Sequence, residues 1–301
     1  MFPPGADVMA VDFNRLRGDG TYRRQTGDDL YEKNFRLVVS LDYLRHPLLD
    51  EYLIAAAAGA ETVAMVAKPW RKYAAQLARN RALYDRLFES GDARVDKIAR
   101  WTAFANWLNG SVDAPPLALA DPAVLAPPAG TDEPFVMVQA FSAVKAKQCS
   151  PAVFERALAA LPSDWQVVFT GAPGEEAANP EFAALLTRPG VRYDDSAFED
   201  LVPKLRAAKM AISVDTAFMH LAIAVGTPTL GLASAAYVGE IVPYAPESTP
   251  KNAHFLYHDM PCRGCLGDCT LPFEEGRYPC IARLEADRVE EAVIKIASTL
   301  A

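Results

Sequence analysis

The chain is predicted to be an α/β protein built on a doubly wound parallel sheet, and three observations carry that prediction. From Phe135 onward, short apolar runs rich in Val, Ile and Phe alternate with helical segments, the spacing that makes a parallel sheet. These runs are apolar throughout rather than at every second residue, as expected of strands covered on both faces. The 301 residues, 51% hydrophobic and 23% charged, suffice for two domains of ordinary globular composition.

Taken in order, residues 1–34 are polar and Gly-rich, with Arg17-Gly18-Asp19-Gly20 and Thr26-Gly27-Asp28-Asp29. They read as a loop-bearing start in which only Asp7–Val11 has strand character. Phe35–Asp42 is a buried strand, Leu48–Ala58 a helix stopped by Gly59, and Glu61–Ala67 a second strand. Lys68–Phe88 and Val95–Leu108 read as long helices, with Trp70, Tyr73, Leu77, Leu83, Leu87, Trp101 and Trp107 on their apolar face. That face serves as core, or as cover for a partner or a lipid. Ser111–Pro134, rich in Pro and Ala, is the linker, so the domains are set at 1–120 and 121–301. Beyond it, strands are expected at Phe135–Gln139, Gln166–Phe169, Val191–Tyr193, Ala211–Val214 and Thr229–Leu232. Helices are expected at Pro151–Leu161, Pro180–Leu186, Ala197–Ala207, Ala217–Val225 and Ala286–Thr299.

Composition narrows the function. A net charge of −8 argues against a nucleic-acid partner held by charge alone, while leaving room for a local basic pocket. No apolar run reaches the roughly 18 residues of a membrane span. Met1-Phe2-Pro3-Pro4-Gly5 lacks the basic start and apolar core of a secretory signal, so a cytoplasmic location is expected, with any membrane contact peripheral. In a reducing compartment the cluster Cys262, Cys265, Cys269 and Cys280, interspersed with Gly264, Gly267, Pro272, Gly276 and Pro279, suits a structural zinc or iron site. Four thiolates leave no open position for catalysis. The alternative is free or oxidisable thiols, and His254 or His258 could replace one cysteine as ligand.

Three strand-to-helix corners carry groups suited to a phosphorylated ligand. The first holds Gln139, Ser142, Lys145 and Lys147, the second Thr170-Gly171-Ala172-Pro173-Gly174, and the third Asp215-Thr216, followed by Ala217, Met219 and His220. On a parallel sheet all three lie at one edge, where such folds bind ligands. A lysine neutralises a diphosphate, Gly171 permits close backbone approach, and Thr216 is expected to cap the next helix. Singly, each corner has a bland explanation as a solvated lysine or an ordinary cap. Their agreement in position is the signal. His220 reads as a structural histidine, since no Ser–His–Asp set or metal partner is spaced for it.

The third corner also carries a family resemblance. Val214-Asp215-Thr216-Ala217-Phe218-Met219-His220-Leu221-Ala222 resembles the D-T-G-x-x-H-L-A signature of glycosyltransferase family 9, the bacterial lipopolysaccharide heptosyltransferases. Ala224–Thr229 is similar to the family's A-x-G-x-P, and Pro243-Tyr244-Ala245-Pro246 to its P-Y-G-P. Ala146–Pro151 is similar to its A-K-x-W-P turn, and Val168–Glu175 to its V-x-T-G-G-P-x-E. The resemblance spans about residues 135–300. It implies a GT-B architecture, two Rossmann-like domains facing across a cleft, with an ADP-heptose-like donor held by the C-terminal one. Carried over, it implies that Lys147 contacts the phosphates, Asp215 the sugar hydroxyls, and the amides around Thr216–His220 the diphosphate. It implies inverting transfer without a catalytic metal to lipopolysaccharide core, another glycan or a protein. The cysteine cluster resembles the four-cysteine iron finger of autotransporter heptosyltransferases.

This sequence departs from the family in three places. Ala217 replaces a glycine, so the backbone there must avoid positive φ, and Cys149-Ser150 replaces a tryptophan. Met1–Val11 looks like the family's second strand, so the first strand and the Gly-Asp loop bearing the expected base have no counterpart. The N-terminal domain is therefore expected to be incomplete, as a truncated product or as a non-catalytic nucleotide-sugar-binding relative or assembly module. Asp42 is the nearest surviving acid to serve as base, with Asp19 a weaker candidate.

Overall fold

The structure, a computed structural model, describes residues 5–57, 61–68, 72–92, 94–110, 118–131 and 133–300. Gly59, Trp70 and the linker stretch 111–117 lie outside the described residues. The chain forms two compact units, one of Phe2–Val95 with Ala99–Ala114, the other of Asp96–Ile98 with Pro115–Ala301.

The N-terminal unit opens on two helices where a loop was expected: α1 (Phe13–Gly18) and α2 (Gly20–Glu32). Asp12 accepts the amides of Asn14 and Arg15, and Asp19 those of Thr21 and Tyr22. Each carboxylate satisfies donors that a helix start leaves unpaired, and this outweighs the glycines at 18 and 20. Residues 7–11 form no strand, which corrects the strand expected there. Then come β1 (Leu37–Ser40), α3 (Asp50–Ala56), β2 (Glu61–Met65), α4 (Ala74–Asn80), β3 (Arg86–Phe88) and α5 (Lys97–Asn109). The strands pair in parallel in the order β1-β2-β3. Strand β3 corrects the long helix expected over Lys68–Phe88. Leu87 packs with Ile54, Ala64 and Tyr84, while its neighbour Phe88 packs with Val63, Met65 and Phe104. Consecutive side chains buried in separate clusters are the period-2 signature of a strand.

The C-terminal unit follows its predicted order closely. It comprises β4 (Phe135–Gln139), α6 (Pro151–Ala159), β5 (Gln166–Thr170), α7 (Ala183–Leu186), β6 (Val191–Asp194), α8 (Leu201–Ala207), β7 (Met210–Val214), α9 (Ala217–Ala224) and β8 (Thr229–Leu232). After these come β9 (Ala253–Leu256), α10 (Pro279–Ala282) and α11 (Ala286–Ala297). All six strands are parallel, in the order β6-β5-β4-β7-β8-β9. Alternate residues of the central strands bury against opposite layers. Val136, Val138, Ile212 and Val214 join the cluster containing Phe154 of α6 and Val293 of α11, whereas Met137 and Ala211 join Leu205 of α8 and Phe218 of α9. Burial on both faces explains the unbroken apolar runs. Strand β9, unanticipated, is a four-residue edge whose exposed His254 weakens its apolar pattern.

Helix α9 ends in a Schellman turn: the Gly226 amide donates to Ile223 and the Thr227 amide to Ala222, both 3.0 Å. Gly226, at φ +90°, supplies the left-handed residue this turn requires. The order of strand succession reverses between β4 and β7, paired in register at Gln139 and Ser213. A crevice outside the strand ends at such a reversal is where doubly wound folds bind ligands. Among the described residues, no helix is long and apolar enough to cross a membrane.

Candidate functional site

The segments leaving β4 and β7 converge at that reversal. After β4 the chain makes a 3-10 turn, Lys145–Lys147, stabilised by the Lys147 amide donating to the Val144 carbonyl at 2.9 Å. Its two lysines diverge. Lys145 donates to the Ala178 carbonyl at 2.8 Å and to the Asn179 side chain, bracing the loop after β5. Lys147 turns to the end of β7, where its Nζ lies 2.8 Å from Asp215 Oδ2 and 4.8 Å from the centre of the Tyr237 ring. The Lys147 and Asp215 side chains are 14% and 7% exposed, so the pair sits in a partly desolvated setting where charge–charge and charge–dipole interactions are strong.

His220, one turn into α9, closes the other side of Asp215. Its Nε2 is 3.8 Å from Asp215 Oδ1, beyond hydrogen-bond range, and its Nδ1 shares a 2.6 Å hydrogen bond with the Tyr244 hydroxyl. The two rings also stack, 5.6 Å apart and 17° from parallel. Burial holds the His220 pKa below its usual value against the pull of Asp215, and Lys97 and Lys147 push the same way as burial. The neutral imidazole is therefore the favoured form, fixed by Tyr244. Tyr244 lies in the Pro-Tyr-Ala-Pro stretch, so a sequence signal existed for it, but its role needed the fold.

On the far side of the β7 corner, a cavity of about 510 Å³ opens at the carboxyl ends of β4, β5 and β7. Gln139, Thr170, Gly171, Thr216 and Ala217, all expected at the site, line it. Gln139 Oε1 is buried there without a hydrogen-bond partner, an arrangement that costs free energy unless a ligand or water donates to it. The remaining wall includes Ser196, Ala197 and Phe198, after β6. These gave no sequence signal, although Phe198 is a large exposed aromatic.

Some expected roles change. Thr216 occupies the N-cap position of α9 but makes no side-chain cap bond. Its hydroxyl lies 3.4 Å from Ser213 Oγ instead, so the opening amides of α9 have no side-chain acceptor from their cap. Ala217 opens α9 in helical backbone, as its Cβ requires. Gly171 is needed by its neighbours: a Cβ there would stand 2.7 Å from Glu175 Oε2 and 3.1 Å from the Phe141 ring, and would meet the Tyr193 hydroxyl. Ser142 is spent on its own loop, accepting from the Val144 amide at 3.3 Å through Oγ and from Gln148 at 3.0 Å through its carbonyl. The Met219 side chain is fully buried among Ile223, Val242 and Tyr244 and does not face the cavity. Cys149, where a tryptophan was expected, is fully buried in the main core, and burial pushes its thiol up to about 12.

In the N-terminal unit, Asp42 is exposed just beyond β1 and accepts the Leu44 amide at 2.9 Å. Asp19 is occupied as a helix cap and by Arg15 at 3.4 Å. The four clustered cysteines line one small cavity of about 10 Å³. Neither His254 nor His258 lines it. Among the described residues, no group of three or more His, Cys, Asp or Glu side chains is gathered at metal-binding separation.

Comparison with known proteins identifies the C-terminal region. Residues 116–265 match the profile of glycosyltransferase family 9 (heptosyltransferase). A search of curated proteins found no sequence match. Among solved structures, a family 9 glycosyl transferase from Veillonella parvula superposes with a TM-score of 0.61 at 18% identity, over 97% of this chain and 80% of that one. The E. coli heptosyltransferase WaaC with ADP-2-deoxy-2-fluoro heptose gives 0.64 at 16% identity, over 96% and 83%. E. coli ADP-heptose lipopolysaccharide heptosyltransferase II gives 0.58 at 17% identity, over 92% and 81%. At these identities the likeness is one of fold, the parallel α/β fold of GT-B heptosyltransferases. The chain carries a glycosyltransferase family 9 domain, and glycosyl transfer is the activity of that family.

Proposed function

We propose that the chain transfers heptose from an ADP-heptose-like donor, with inversion, to a hydroxyl of a lipopolysaccharide core or related glycan. The observation that carries this reading is the pairing of Lys147 with Asp215 at the strand-order reversal, beside a cavity containing an unpartnered Gln139 oxygen. A cavity of this size suits a nucleoside, with Gln139 and Thr170 offering polar contacts and Phe198 an aromatic wall. The diphosphate would then run past the uncapped amides of Thr216 and Ala217 to Lys147. A helix start and a lysine together stabilise the charge that builds on the departing ADP. Asp215 accepts from sugar hydroxyls and so fixes the anomeric carbon. That a similar fold was solved with an ADP-heptose analogue supports this donor.

In the transfer step the acceptor oxygen bonds to the anomeric carbon as the carbon–oxygen bond to ADP breaks on the opposite face, and the acceptor proton passes to a base. Asp42, an exposed carboxylate beyond β1, is the candidate for that base. Calorimetric titration with ADP and ADP-heptose tests binding, and release of ADP on adding heptose-free lipopolysaccharide core tests turnover. Saturable ADP-heptose binding with acceptor-dependent ADP release supports the reading; absence of binding by either nucleotide would overturn it. ADP-heptose binding without turnover would point to the donor-binding relative.

We further infer that the four cysteines hold one structural zinc or iron. The four cysteines line a single small cavity and supply the soft donors these ions take, although their thiols are not gathered at metal-binding separation in this structure. Elemental analysis should find about one such ion per chain, and folded, metal-free protein would exclude it.

A further inference from the structure

The segment 262–280 bonds to two turns that meet at Lys147. On one side it grips the turn that carries Lys147: the Tyr278 amide donates to the Ala146 carbonyl at 3.0 Å, and Arg277 Nε donates to the Gln148 carbonyl at 3.1 Å. These acceptors immediately flank Lys147 in sequence. On the other side it grips the 3-10 turn Ala235–Tyr237, with the amides of Gly264 and Leu266 donating to the carbonyls of Ala235 and Ala236, both at 2.8 Å. That second turn presents the Tyr237 ring on which the Lys147 ammonium rests. Gly267, at φ +89°, lies so close to Tyr237 that a Cβ would stand 3.1 Å from the hydroxyl.

We propose that the four-cysteine segment is a clasp that positions Lys147, so that order in this segment is read at the donor site as affinity for a diphosphate. The inference rests on the donor-site reading above. Lys147 needs such a device because a lysine side chain is long and loses much rotamer freedom when fixed. A turn held at both flanks, with an aromatic face beneath the ammonium, removes part of that freedom before the ligand arrives. Arg277 is the positioning residue that tests the idea, since its guanidinium makes the side-chain bond to the Lys147 turn and it is not a cysteine.

The experiment titrates ADP and adenosine into the full chain, the Arg277→Ala, Arg277→Lys and Lys147→Ala variants, with thermal unfolding and metal content recorded for each. The expected result is that Arg277→Ala weakens ADP about tenfold, leaves adenosine binding unchanged, and lowers the unfolding midpoint by only a few degrees, as the loss of one hydrogen bond does. Arg277→Lys should recover part of the loss, because an ammonium can also donate to the Gln148 carbonyl. An equal loss for ADP and adenosine would mean general damage and would overturn the clasp. Unchanged ADP affinity in Arg277→Ala, with Lys147→Ala impaired, would overturn the clasp and leave the donor site standing. Unchanged affinity in Lys147→Ala would remove both.

Discussion

Among the described residues, the two ion pairs most screened from water are built differently. In the N-terminal unit Arg45 and Glu51 are 2% and 1% exposed and 3.4 Å apart. Arg45 also donates to the Asp42 carbonyl at 2.9 Å and lies over the Tyr84 ring, while Glu51 accepts from Tyr84 at 3.2 Å and from Asn80. Both charges have several partners drawn from their own unit. Lys147 and Asp215 are closer together yet less enclosed, the neighbouring histidine is out of hydrogen-bond range, and the helix amides beside them lack a side-chain cap. A saturated buried pair holds a fold together; a pair with spare capacity beside a cavity is poised for a ligand.

Four substitutions probe the two pairs and the site beside the second. The largest effect is expected at the saturated pair. Glu51→Ala leaves Arg45 buried without its counter-charge and should lower stability by about 3–5 kcal/mol, read from urea unfolding; a loss near zero would show that enclosure alone does not make a pair structural. Lys147→Ala should reduce ADP affinity roughly 10–100-fold and lower stability less than Glu51→Ala does. The reverse pattern, a large stability loss with ADP binding intact, would make both pairs structural.

Next comes Gly171→Ala. Its Cβ would overlap the Glu175 carboxylate and crowd Phe141, a cost of about 1–3 kcal/mol in unfolding free energy; a neutral result would mean that the loop after β5 relaxes freely. The smallest effect concerns pH. The folded pKa of His220 lies below its usual 6.5, so the unfolded chain takes up the proton first as acid is added. The associated stability is present above pH 6.5 and declines as pH falls from there toward the lowered folded value. His220→Gln should flatten that part of the stability–pH curve, and an unchanged curve would assign the dependence elsewhere.

The two units also differ in how much of them could be read from the chain. In the C-terminal unit the strands bury both faces, and their apolar runs are bounded by Pro, Gly or polar corners, so five of its six strands stand out. The sixth, β9, is short and half exposed. In the N-terminal unit, glycines at 18 and 20 hid two helices whose starts depend on Asp12 and Asp19, and three-residue β3 was lost inside a helical pattern. Asp12 and Asp19 were legible as caps in principle, because their acceptors act on amides two and three residues away. The pairing that makes Arg86–Phe88 a strand comes from residues more than twenty positions upstream.

Sequence by itself determined the alternation of strands and helices, the three polar corners and the motif at Asp215-Thr216, because each rests on periodicity or on groups a few residues apart. Only the tertiary structure decided that Lys147 rather than Lys145 meets Asp215, that Tyr244 fixes His220, that Met219 turns to the core, and that the cysteine segment grips the Lys147 turn. Those outcomes depend on contacts between segments up to 132 residues apart, Ala146 to Tyr278. Such contacts are set by packing and by which hydrogen-bond donors find buried acceptors, and local pattern carries no record of either.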